Sequence, residues 1–224
     1  ALYNAIEAAG GGHPGFTAAE VQDEIDAVVA DPANDTRVVQ DTDGTTVAAA
    51  LLFSPAPGGH TVRAAGGVLP AWRGRGLGRD LLAWQLDRAA QIHAATAPAT
   101  TWQVHAPALL TETGAIALYT PLGLTPLRYF FEMAADPAGA VPAPVPEGLR
   151  VVAYDPRYEL ATYQAHLEAF ADSWGFEPLP ADRWLPLALR SENFLPELSR
   201  LALDGDEIAG YLLSYGDADP ARAY

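Results

Sequence analysis

Between Val68 and Arg79 the chain reads Val-Leu-Pro-Ala-Trp-Arg-Gly-Arg-Gly-Leu-Gly-Arg, with glycines at 74, 76 and 78 and arginines at 73, 75 and 79. A strand-like segment precedes this run, and Leu82, Leu86, Ala89 and His93 follow it at helical spacing. Glycines between a strand and a helix let the backbone curl and aim several N–H groups at one point. The helix N-terminus adds partial positive charge there. Arg73, Arg75 and Arg79 add full charges. The run is therefore a local anion site suited to a pyrophosphate. It is not a dinucleotide fingerprint, because the glycines fall as Gly-x-Gly-x-Gly and the preceding strand starts no βαβ unit.

Around this cationic spot the chain is acidic. Its 224 residues carry 28 Asp and Glu against 13 basic residues, all arginine, for a formal net charge of −15. Nucleic acid and anionic membrane both reward clustered positive charge, so neither is expected as a partner. An acidic surface favours solubility and the approach of a cationic small molecule or a basic peptide. Cysteine is absent, which excludes disulfides, zinc–thiolate sites and thiol catalysis. The absence of lysine excludes the phosphate-binding lysine of P-loops and kinases, and Schiff-base chemistry. No metal centre is expected. No apolar run approaches the ~20 residues of a membrane span, and no targeting segment is visible, so a cytoplasmic protein is expected.

The elements that must position the loop follow from periodicity. Leu2, Ile6 and Ala9 share a helical face ahead of the glycines at 10–12. A second helix opens at Thr17, where Glu20 completes a capping box, and Val21, Ile25, Val28 and Val29 form its buried stripe. Strands are predicted at 37–40 and 47–53 around Asp-Thr-Asp-Gly, and from about His60 to Val68. After the loop come a helix over 78–95, a strand over 100–105, a short helix over 113–120 and a last strand over 127–133. Proline and alanine dominate 135–148, which reads as a linker. Beyond it the pattern restarts with a strand at 149–154 and a helix from Asp155-Pro156 to about Trp174. A helix near 182–190 and a hairpin of 199–203 with 208–215 complete it. The predicted division is 1–134, 135–148 and 149–224, a tandem repeat with pieces expected to be absent at both ends.

Arg73-Gly74-Arg75-Gly76-Leu77-Gly78 resembles the pyrophosphate motif, (Gln/Arg)-x-x-Gly-x-(Gly/Ala), of the Gcn5-related N-acetyltransferase (GNAT) superfamily. Ala115-Ile116-Ala117-Leu118-Tyr119-Thr120-Pro121-Leu122-Gly123-Leu124 resembles its second signature, Ala-x-x-Leu-Tyr-x-x-Leu-Gly-Phe. Phe170 to Pro178 resembles a segment of tandem GNAT proteins, the mycothiol-synthase-like group among them. The resemblance implies an α/β (α+β, three-layer) GNAT fold: a mixed central sheet flanked by helices, followed by a second, incomplete GNAT-like unit. It implies acetyl-CoA, or another acyl-CoA, as co-substrate, lying in a V-shaped opening between the strands that end near Val68 and His105. Backbone groups around Gly66 and Val68 would pair with the pantetheine. Arg73, Gly74, Arg75, Gly76, Leu77, Gly78 and Arg79 would hold the pyrophosphate, and Tyr119 would protonate the departing thiolate.

Several positions depart from the family pattern. Glu112 stands where many members carry an asparagine that contacts CoA, and Leu124 replaces the final phenylalanine of the signature. The segment from Thr61 to Gly67 lacks the carboxylate that many members place there, which leaves His105 as the candidate general base. Asp172 and Glu177 are acids that could meet an amine, with solvation as their default state. Trp72, Trp84 and Trp102 read as core or rim residues. The leading reading is an N-acetyltransferase acting on a primary amine of a small molecule or peptide. The alternative is a non-catalytic acyl-CoA-binding domain supporting a catalytic second half. A pure interaction module is disfavoured by the intact loop. The amine and the oligomeric state stay open.

Overall fold

A computed structural model describes residues 2–12, 15–56, 58–131, 133, 138–139, 141 and 143–216. Helix α1 (Leu2–Gly10) ends at the glycines as predicted. Helix α2 (Ala18–Val28) starts at the predicted capping box. The Thr17 hydroxyl accepts from the Glu20 amide at 3.1 Å, and the Glu20 carboxylate accepts from the Thr17 amide at 2.7 Å. A short helix that periodicity missed, α3 (Pro32–Asp35), follows. Four residues are too few to show a helical period.

Strands β1 (Thr36–Gln40), β2 (Thr46–Phe53) and β3 (Thr61–Val68) form an antiparallel meander, and β4 (Gln103–His105) joins β3 in parallel. A parallel neighbour needs a crossover. It is supplied by α4 (Leu77–Thr96), a 20-residue helix that packs on β2 and β3. Val47, Ala48, Ala50, Leu52 and Phe53 of β2 are all buried, so both faces of this strand are covered. Leu82 and Ala89 of α4 pack with Leu52, Val62 and Ala64, while Leu81 packs with Ala48, Ala50 and Val68. Trp102 joins the first cluster, and Trp72 and Trp84 join the second. Burying a side chain such as Leu52 completely contributes about 1.5–3 kcal/mol. Helix α3 places Asp35 where it is 1% exposed, and Arg88 of α4 donates Nε–H to it at 2.8 Å. Helix α5 (Thr113–Tyr119) follows β4.

The strand predicted over 127–133 does not form among the described residues; Glu132 lies outside them. Leu127, Tyr129, Phe130, Phe131 and Met133 are exposed, and no described strand pairs with the segment. An apolar alternating run becomes a strand only where a partner edge takes its hydrogen bonds.

By contacts the chain divides into two units, Ala1–Pro126 and Leu127–Tyr224. Residues 135–137, 140 and 142 of the expected linker lie outside the described residues. The second unit holds β5 (Leu149–Ala153), α6 (Glu159–Phe170), α7 (Ala181–Leu189), β6 (Arg200–Asp204) and β7 (Glu207–Leu212), with an antiparallel sheet ordered β5-β6-β7. Its core is Tyr163, Trp184, Leu185, Leu189 and Phe194. Helix α6 stops at Phe170, short of Trp174, because the chain turns there: Ser173 N–H bonds to Phe170 O at 2.9 Å, and Phe176 N–H to Ser173 O at 3.1 Å. Among the described residues, no helix is long and apolar enough to cross a membrane.

Candidate functional site

The site begins where two strands part. Strand β3 pairs with β2 as far as Val68 opposite Ala48, and the Leu69 amide continues that side by donating to Val47 O at 2.9 Å. On its other side β3 pairs with β4 only through Thr61, Val62 and Arg63, the last opposite His105. From Ala64 to Val68 no described strand takes that edge. The result is a wedge with its apex at Arg63 and His105. Since the Leu69 amide faces β2, strand alternation turns the backbone groups of Gly66 and Val68 toward the wedge.

Gly66 has φ +142°, and a Cβ there would lie 2.3 Å from Ala49 O and 2.7 Å from Ala50 Cα. Only glycine fits this position. It twists β3 next to the open edge without breaking its pairing with β2.

At the wide end of the wedge lies the arginine-glycine loop. After a 3-10 turn over Pro70–Trp72, Gly74 and Gly76 take φ +75° and +91°. Gly76 is the N-cap of α4 and offers no side chain to the first-turn amides, so these stay available to an external acceptor. Arg73 donates Nε–H to Val68 O at 3.1 Å, bracing the loop against the strand end. Arg75 donates to Ala71 O at 3.2 Å and stacks 4.5 Å above the Trp72 ring. Arg79 is exposed in the first turn. A Cβ on Gly78 would touch Leu118 at 3.4 Å and Val68 at 3.8 Å, so α5, the helix start and the end of β3 meet here.

Tyr119 closes α5 one residue after Leu118. Its hydroxyl donates to Pro107 O at 3.0 Å, two residues past His105, so both candidates sit at the C-terminal end of β4. Burial pushes the phenol pKa up, and the Glu112 carboxylate raises it further. His105 shares a 3.0 Å hydrogen bond between Nε2 and Gln103 Oε1. Glu112 itself is built into the loop between β4 and α5. It accepts from the Leu109 amide at 2.9 Å, while Thr111 donates to Gly10 O at 2.6 Å and ties the loop to α1. Asp172 is exposed and Glu177 half-buried in the second unit. Among the described residues, no cluster could hold a metal ion.

No family model matches the chain. A mycothiol acetyltransferase from Tsukamurella paurometabola is 37% identical over 138 residues, which cover 58% of this chain and 43% of that protein. The crystal structure of a GCN5-related N-acetyltransferase from Sphaerobacter thermophilus covers 97% of this chain and 67% of its own, with 27% identity and a TM-score of 0.68. The fold is that of the GNAT acetyltransferases. A tandem GNAT protein from the clavulanic acid biosynthesis pathway shares the fold over 94% of this chain and 67% of its own, at 21% identity and a TM-score of 0.54. The chain described here spans less than half the length of that mycothiol acetyltransferase.

Proposed function

We propose that this chain binds acetyl-CoA, or another acyl-CoA, as the donor site of an N-acetyltransferase for a primary amine of a small molecule or peptide. The observation that carries this reading is the wedge between β3 and β4, which opens toward an arginine-flanked helix N-terminus. An extended pantetheine arm fits the open edge of β3 through the backbone of Gly66 and the Val68 amide, the Val68 carbonyl already accepting from Arg73, as a peptide adds to a sheet. The pyrophosphate fits the amides between Arg73 and Arg79, with Arg75 and Arg79 supplying charge. A donor of this kind agrees with the cytoplasmic location expected from the sequence.

In the reaction the amine nitrogen bonds to the acetyl carbon and the carbon–sulfur bond breaks. The amine gives up one proton and the sulfur gains one. His105 would take the first, directly or through a water, and Tyr119 would supply the second. Burial keeps Tyr119 protonated throughout the neutral range, as a proton donor requires. The likeness to a mycothiol acetyltransferase makes mycothiol-related amines the first acceptors to try. The second reading, a binding unit that supports a catalytic partner unit, is favoured by Glu112, whose negative charge raises the Tyr119 pKa and would oppose an anionic donor bound nearby. Calorimetric titration of the intact chain with acetyl-CoA, followed by an acetyl-transfer assay on a panel of amines, tests both. Binding with transfer supports the enzyme, binding without transfer supports the second reading, and no binding defeats the proposal.

A further inference from the structure

Gln85 lies on the buried stripe of α4 beside Leu81, Leu82 and Ala89, and is itself only 4% exposed. Its Nε2 donates to two backbone carbonyls, Leu51 O at 2.7 Å and Ala65 O at 2.8 Å. Leu51 and Ala65 are cross-strand partners in β2 and β3, and Ala65 immediately precedes the twisted Gly66. One side-chain amide thus spends both of its hydrogens where the wedge edge begins. A methionine or leucine would fill this space without a buried polar group, so what the glutamine adds is direction rather than volume.

We infer that Gln85 is a positioning residue: it fixes the twisted segment of β3 to α4, and so sets the spacing between the edge at Gly66 and Val68 and the helix start at Gly76. Gln85 lies nine positions after Gly76, about 13.5 Å along a helix axis, so α4 is the spacer and Gln85 its fixed end. A ligand whose arm lies along β3 while its phosphates meet the loop depends on that spacing. A ligand that meets the loop alone does not. The inference rests on the acyl-CoA reading of the wedge.

The test compares the wild-type chain with Gln85→Met, using two ligands: acetyl-CoA, and 3′-phospho-ADP, the same nucleotide without the pantetheine arm. Amide hydrogen exchange at Gly66, Gly67 and Val68 is measured in parallel. In the variant, the acetyl-CoA Kd rises about tenfold, the effect of losing two modest hydrogen bonds. The 3′-phospho-ADP Kd stays constant, and exchange at the three amides quickens. Gln85→Glu, which keeps the shape and loses the donors, behaves in the same way. Equal weakening of both ligands, or no change in either, would overturn the inference. If the wild-type chain binds neither ligand, the acyl-CoA reading fails. Unchanged exchange in Gln85→Met would separately refute the brace.

Discussion

Tyr119 is the residue on which the proposed chemistry turns. Its phenol is held above its ordinary pKa of 10.0 by burial and by Glu112. A group so placed holds its proton through the neutral range and can pass it to sulfur as the carbon–sulfur bond breaks. Tyr119→Phe removes the donor and keeps the ring. The expected result is a fall in kcat of about 10²-fold or more with the acetyl-CoA Kd unchanged, measured by steady-state kinetics beside calorimetry. Unaltered kcat would assign the proton to another donor. At this scale the sequence was a good guide to the loop's shape, because the glycines of Arg-x-x-Gly-x-Gly mark the positions that turn: Gly74 and Gly76 both take positive φ. It was a poor guide to Gln85. The only sign of it was one amide on an otherwise apolar helical stripe, and its two carbonyl partners, 34 and 20 residues away, carry no side-chain signal.

Among the elements, β3 is the one that function bends. The sequence from Thr61 to Val68 reads as a plain strand, and so it is on the β2 side. What a strand reading could not contain is the parting from β4 after three residues, since pairing between distant segments is set by packing rather than by local pattern. The pair Gly66-Gly67 hinted at a special backbone without saying which residue carries it. Gly66→Ala should cost about 2–3 kcal/mol, for a backbone region closed to side chains, together with a collision against the β2 backbone. Chemical denaturation measures the loss, and calorimetry should show acetyl-CoA binding weakened beyond what stability explains. The capping box at Thr17 was legible in full because its geometry is local. The strand expected over 127–133 failed for the opposite reason: its hydrogen bonds depended on a neighbour that is not there among the described residues.

For the whole molecule, acid sensitivity is expected to come from the second unit. His166 of α6 is surrounded by Phe170, Phe176, Trp184 and Tyr211, and its Nδ1 lies 2.9 Å from the Tyr211 hydroxyl. Burial lowers its pKa below the ordinary 6.5. As pH falls through 6.5 the unfolded chain takes up this proton first, so stability drops until the pH passes the lowered native value, and then levels. Thermal unfolding of the intact chain between pH 8 and pH 5, about the ordinary histidine value, should show this decline, and His166→Phe should flatten it. An equal decline in the variant would place the effect elsewhere. Most of the strands and helices of the second unit were readable from periodicity, while the burial of His166 was not, since a histidine on a helix shows no side until its neighbours are known. The pairing that stops at Arg63 and His105 has one more consequence. A cleft that closes at a fixed rung has a fixed depth, so on the acyl-CoA reading proposed above the last rung would act as a gauge of acyl length. Donors would then be sorted by how far the acyl chain can advance before the strands zip shut. Adding one rung of pairing between β3 and β4 would narrow the range of acyl groups without touching a single residue of the loop.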